Sequence, residues 1–285
     1  MASNQPVMSQ KMRLYNGVEM PAVGINTYRV RLDEEVHMFV DNALSAGYRL
    51  FDTAAMYGNE VALNRAFEKL LPKYNLKRSD LFITSKIVTR SRASYTGIKR
   101  VLEKTLKNLG TDYLDLYLIN YPTGNTSSRK RTWAAMQAVY EDGNISAIGV
   151  CNHSKELLRQ LASSNSPPMV NQVEWNPLMH DEQLYAYCKR HDMVLQAYSP
   201  FGTPFASDKK LFHYPVIRGL ASKYDATVAQ IPLKWSLQRQ VAVLPVSTDP
   251  AHMKENINLN FRISTRDMDL IDAIAPDYDQ YESRV

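Results

Sequence analysis

A chain of 285 residues is long enough for one large α/β barrel or two smaller domains, and a sizeable core is easily buried. With 45% hydrophobic and 22% charged residues and a mean hydropathy of -0.36, the composition is that of a soluble globular protein, and no apolar run nears the roughly 18–20 residues that span a bilayer. The formal charge of +5 does not make a nucleic-acid binder, because 34 basic residues are scattered among 29 acidic ones without aromatic interleaving.

Residues 1–10, MASNQPVMSQ, lack the charged and apolar regions of a signal peptide and are expected to be disordered ahead of one domain, 11–285. Cys151 and Cys188 are too few for a disulfide framework, which favours a reducing, cytosolic setting. The stretch KMRLYNGVEM then alternates around Asn16-Gly17, a pair that tolerates positive φ and so predicts a small hairpin. Beyond it, short apolar runs alternate with helical patterns. Strands are predicted near 22–26, 48–52, 81–87, 113–119, 147–151, 169–175, 193–199 and 241–247. Between them, EEVHMFVDNALSAG carries Val36, Phe39, Val40, Ala43 and Leu44 on one stripe, with Gly47 as its stop. In TGIKRVLEKTLKNLG the stripe is Ile98, Val101, Leu102, Thr105, Leu106 and Leu109, closed by Gly110. Two more helices are expected around 250–258 and 264–275. Strand–helix units in this number predict a (β/α)₈ TIM barrel. A doubly wound sheet is the weaker reading, since the glycine-rich turn with which it binds dinucleotides is absent.

In such a barrel the chemistry lies at the C-terminal ends of the strands. There the chain places Asp52, then Tyr57 five residues on, Lys86, and Asn120 at the end of LDLYLIN. A tyrosine with an ordinary pKa near 10 gives up a proton more readily beside an ammonium that stabilises its phenolate, and a carboxylate can hold that ammonium. Each residue alone is more often structural; their shared location makes them a candidate site. Other chemistry is weakly represented. The six histidines and two cysteines form no short metal motif. Cys151 and His153 read as a packed thiol and an exposed imidazole rather than a nucleophile and its base.

The motifs GYRLFDTAAMYGNE, LFITSKI, LDLYLINYP, AIGVCN, VNQVEWNP, AYSPFG and LPVSTDPAHMKEN resemble, in order and spacing, the signatures of the aldo-keto reductases from about residue 11 to 275. The short loop after Pro122 and the short C-terminal tail look most like the smaller microbial-type members, such as 2,5-diketogluconate reductase-like and prostaglandin F synthase-like enzymes. The resemblance implies an NADPH-dependent reductase of aldehydes or ketones. Tyr57 would be the general acid and Lys86 and Asp52 its supports. Tyr198 would stack on the nicotinamide, and Cys151, Asn152 and Gln172 would meet its carboxamide. Thr27, Ser199 and Phe201 would also contact the cofactor, with Glu255 and Asn256 at the adenine. Tyr28, Tyr121 and Trp175 would line the carbonyl pocket, with Phe205 in the same region. A monomer is the family expectation.

Departures from the family pattern matter as much. Asn120 replaces the usual histidine; it can still donate to a carbonyl but cannot titrate, so slow turnover is expected. Family members with asparagine here include potassium-channel β-subunits, so a nicotinamide-binding regulatory or interaction protein with little turnover stands as the alternative. The residues that usually hold a 2′-phosphate, a lysine and an arginine, are Val246 and His252. Ser247, Thr248, Lys254 and His252 could compensate in part, so a weakened preference for NADPH, with NADH admitted, is expected. Cys151 stands in place of a family serine, and Asn26 in place of a glycine near the nicotinamide. The basic residues Arg90 and Arg92, and Arg129-Lys130-Arg131, are expected on loops rimming the site, where they could favour acidic carbonyl substrates.

Overall fold

The computed structural model describes residues 10–89, 93–202 and 210–274. The expected disordered segment, apart from Gln10, lies outside those residues, as do Arg90, Arg92 and Phe205. The chain begins with β1 (Lys11–Arg13) and β2 (Glu19–Pro21), an antiparallel hairpin with Met12 opposite Met20. Eight strands follow: β3 (Ile25–Asn26), β4 (Leu50–Asp52), β5 (Phe82–Val88), β6 (Leu116–Asn120), β7 (Ile148–Cys151), β8 (Val170–Glu174), β9 (Val194–Tyr198) and β10 (Ala242–Leu244).

They pair in chain order, every pair parallel, and a Val23–Val243 bridge with the Gly24 N–H to Val243 O bond joins the last strand to the first. The eight-stranded (β/α)₈ barrel is the outcome. Strands covered on both sides read as continuous apolar runs, and β4 to β7 are buried almost throughout. Gly149 shows how closely they approach. A methyl group there would lie 2.4 Å from Val170 O on the neighbouring strand.

The connecting helices are α1 (Asp33–Ala46), α2 (Glu60–Lys73), α3 (Tyr95–Leu109), α4 (Thr126–Glu141), α5 (Lys155–Arg159), α6 (Glu182–Arg190), α7 (Pro215–Lys223) and α8 (Gln230–Gln238). After the last strand come α9 (Pro250–Ile257) and α10 (Thr265–Asp272). The predicted stripe of α1 is buried throughout, and Gly47 ends the helix at φ 102°, in the left-handed region that a side chain disfavours. In α3, Ile98, Leu102, Thr105 and Leu109 are buried and Val101 and Leu106 half-buried. Among the described residues no helix is long and apolar enough to cross a membrane.

Candidate active site

The parallel register brings the strand ends to one level. Asn26 pairs with Asp52, Gln172 with both Cys151 and Gln196, and Asn120 closes β6. A short 3₁₀ turn, Ala55–Tyr57, follows β4 and swings Tyr57 back over the barrel. Of these, Asn26, Tyr57, Asn120, Cys151 and Gln172 line a cavity of about 550 Å³ with Tyr28, Met56, Lys86, Tyr121, Asn152, Glu174, Tyr198, Ser199 and Val246.

At its floor Asp52 is wholly buried and Lys86 is 2% exposed. Lys86 Nζ donates to Asp52 Oδ1 in a short ion pair, to Thr53 O at 3.1 Å, and to the Tyr57 hydroxyl oxygen at 3.4 Å. Asp52 also accepts from Asn26 Nδ2 at 2.8 Å and from Gln172 Nε2 at 2.8 Å; Gln172 donates again to Gln196 Oε1 at 2.8 Å. A buried ion pair is stable only when its remaining hydrogen-bonding capacity is met, and the two amides meet it here.

The electrostatics follow from the packing. Burial disfavours the Lys86 ammonium, but Asp52 and the oxygen of Tyr57 outweigh it and hold the group above its ordinary value. Burial pushes the Asp52 carboxyl up, opposed by Lys86 and Gln172. Burial likewise pushes Tyr57 up, while Lys86 pulls it down. Cys151 is pushed up to about 12 by burial, so its thiol stays protonated and is not a nucleophile.

Around this floor, Tyr198 donates its hydroxyl proton to Asn152 Oδ1 at 2.9 Å. Asn152 and Ser199 both adopt positive φ, 55° and 47°, and Asn176 Nδ2 donates to Ser199 O at 3.2 Å. The Tyr28 and Tyr57 rings meet at 5.1 Å, and Tyr121, at φ 70°, is 47% exposed at the mouth. Asn120 Nδ2 points to Met56 Sδ at 3.4 Å. Beyond β10, Ser247 is half-buried and Thr248 and His252 exposed, while on α9 Glu255 is half-buried and Asn256 buried. Asp249 caps α9, accepting from the N–H groups of Ala251 at 2.7 Å and His252 at 3.3 Å, which hold its carboxyl below the usual range.

Several expectations change. Trp175 does not line the cavity: it is 1% exposed and stacks on Trp235 at 5.6 Å, within the barrel wall. Thr27 lies under the floor, fully buried, its hydroxyl bonded to Asp52 O at 3.1 Å and to the Asn59 amide at 3.2 Å. Phe201 packs on Phe212 at 5.4 Å and is absent from the cavity wall.

His153 is buried, not exposed. The turn at Asn152 breaks the strand alternation, so His153 faces away from Cys151's cavity, and burial pushes it down to about 4. Arg129, Lys130 and Arg131 lie in α4 rather than on a loop. Arg129 donates to Gly124 O and to Gln160 Oε1, and Arg131 to Ser127 Oγ.

Sequence reasoning missed Met56 and Glu174 in the cavity and Gln196 beneath it. It also missed Asn59, whose amide ties Thr27 O and Val30 O to Thr53 Oγ1. Only Glu174, the polar end of an apolar strand, carried a signal that could have been read.

A parallel eight-stranded barrel with a Tyr–Lys–Asp cluster at the C-terminal ends of its strands defines an oxidoreductase of the aldo-keto reductase type. Residues 24–276 match the description of the Aldo/keto reductase family, and the chain belongs to that family. It is 37% identical to glyoxal reductase of Bacillus subtilis, covering 95% of this chain and 94% of that protein. It is 35% identical to NADPH-dependent codeinone reductase 1-5 of Papaver somniferum, over 92% and 88%. The crystal structure of an aldo/keto reductase from Brucella melitensis superimposes with a TM-score of 0.83 at 32% identity, over 93% of this chain and 99% of that one.

Proposed function

We propose that this enzyme reduces a small, uncharged aldehyde or ketone to an alcohol with NADH or NADPH, more slowly than a relative bearing histidine at position 120. The observation that carries the reading is the Tyr57 hydroxyl held 3.4 Å from a buried Lys86 ammonium at the floor of an open cavity. The polar lining suits a nicotinamide: the Tyr198 ring offers an aromatic face, and Asn152 and Gln172 are amide groups able to pair with a carboxamide. A bound reduced nicotinamide supplies the hydride.

The chain's own residues do the rest. Tyr57 gives its proton to the carbonyl oxygen, Lys86 stabilises the phenolate left behind, and Asp52 keeps Lys86 charged and in place. Asn120 can donate an amide N–H to the same oxygen without titrating. Losing an oriented donor costs ~3–4 kcal/mol in the transition state; since asparagine replaces histidine with a weaker donor, a smaller loss is expected.

The cofactor reading rests on the segment after β10. Val246 carries no charge, His252 is exposed, and the Asp249 carboxylate would repel a 2′-phosphate in its vicinity, so NADPH has little advantage over NADH. An uncharged substrate suits the lining, where, among the described residues, the charged side chains are Lys86, paired to Asp52, and Glu174. A cytosolic monomer completes the proposal, supported by two buried, unpaired thiols; gel filtration tests the monomer.

Initial rates with glyoxal and 4-nitrobenzaldehyde, followed by loss of reduced-nicotinamide absorbance, test the reading. Measurable oxidation of both cofactors, abolished in Tyr57→Phe, is expected. Cofactor binding with no turnover of any aldehyde would leave a regulatory nicotinamide-binding protein instead.

A further inference from the structure

We propose that Met56 is a modification site, oxidised by a peroxide at its thioether sulfur to a sulfoxide whose oxygen holds the Asn120 amide and slows turnover. Met56 is the middle residue of the 3₁₀ turn that also carries Tyr57, lines the cavity and is 51% exposed, so a small oxidant reaches its sulfur. That sulfur accepts from Asn120 Nδ2 at 3.4 Å, and the Asn120 side chain is otherwise buried at the end of β6. Met12, Met20, Met136, Met169, Met193 and Met253 are buried in the core, and Met38, exposed like Met56, lies on α1 outside the cavity lining.

A thioether is a weak acceptor, so a carbonyl oxygen that enters the cavity takes the amide N–H from it at little cost. A sulfoxide oxygen is polar and accepts strongly; formed beside Asn120, it keeps that N–H for itself. The step is a two-electron oxygen transfer. A sulfur lone pair attacks one oxygen of hydrogen peroxide, the S–O bond forms as the O–O bond breaks, and the departing hydroxide takes the remaining proton and leaves as water; sulfur is oxidised and the peroxide reduced. The effect on turnover rests on the reductase reading, in which Asn120 donates to the substrate carbonyl, whereas the oxidation and the bond to Asn120 do not.

Graded hydrogen peroxide treatment of the cofactor-free protein, with peptide mass spectrometry to map each sulfoxide, provides the test. Met56 and Met38 should oxidise ahead of the buried methionines. As Met56 oxidises, the rate with glyoxal and NADH should fall by about ten- to a hundredfold, and methionine sulfoxide reductases should restore it. Met38→Leu should lose activity as the wild type does. Met56→Leu, whatever its starting rate, should keep that rate through the treatment, and Met56→Gln, which puts an amide oxygen near the sulfoxide position, should be slow from the outset. In ¹⁵N-labelled protein the Asn120 side-chain amide signal, assigned by its absence in Asn120→His, should move when the wild type is oxidised and stay in place in Met56→Leu. Met56 left intact after Met38 has oxidised, an Asn120 signal unmoved by the Met56 sulfoxide, or equal inactivation of Met56→Leu and the wild type would each overturn the proposal. If the untreated wild type reduces no aldehyde, the reductase reading fails while the sulfoxide map and the Asn120 signal still decide what Met56 does.

Discussion

The floor of the cavity and the segment beyond β10 are built on opposite principles. At the floor, Asp52, Lys86, Asn26 and Gln172 are buried and bonded to one another, so each group depends on its neighbours and the ion pair has no water to fall back on. Beyond β10, Val246, Thr248, Asp249 and His252 are exposed, and the Asp249 carboxylate caps the local backbone, with His252 Nδ1 3.9 Å away. Desolvation makes the first region intolerant of change. In the second, exchanging a charge costs the fold little, and its residues can follow the chemistry of a ligand.

The largest expected effect is at the floor. Lys86→Met leaves Asp52 buried without its cation and removes the charge beside Tyr57. It should lower stability by ~3–5 kcal/mol and turnover by roughly two to four orders of magnitude, measured by denaturant melts and initial rates. Stability close to the wild type would show that Asp52 is neutral in the folded protein and would break the comparison. In the outer segment, Val246→Lys with His252→Arg should tighten NADPH binding by ~1.5–3 kcal/mol for each charge-assisted bond. NADH affinity and Tm should barely change. Tighter NADH binding to the same degree would place the 2′-phosphate elsewhere.

Asn120→His should raise turnover by up to about tenfold, well inside the loss that a missing oxyanion donor produces. It should also add a limb to the pH profile near the ordinary histidine value of about 6.5. In the wild type no limb should arise from this position, and because burial raises Tyr57, reduction should fall only above the ordinary tyrosine value of about 10. An Asn120→His enzyme no faster than the wild type would mean that asparagine is adapted to this pocket.

Outside both regions, the effect at neutral pH is nil and appears only on acidification. His153 is held down to about 4 against an unfolded value of 6.5. As pH falls, the unfolded chain binds the proton first, so stability is lost between about 6.5 and 4, by up to ~3 kcal/mol. His153→Gln should flatten that part of the stability profile.

Much of this was legible in the chain. Eight apolar runs separated by helical stripes specify a parallel barrel because such strands are covered on both faces, and each predicted strand lies at its expected place. Tyr57, Lys86, Asp52 and Asn120 were readable as one cluster because every strand of a barrel points its C-terminal end to the same face. The misplaced residues had another cause. Trp175 follows a strand whose neighbours line the site, yet its ring turns into the wall against Trp235. His153, read as exposed, is buried, because the strand ends before it and the chain turns at the positive φ of Asn152.

The periodicity of apolar residues, a local property of the chain, determined the barrel, its order and the level at which its polar residues end. Only the tertiary structure decided which of those residues hold one another. The Asn26–Asp52 bond joins residues 26 apart and the Gln172–Asp52 bond residues 120 apart. Such contacts arise from strand register and from the closing of β3 on β10, which no local pattern encodes, and burial then makes them strong.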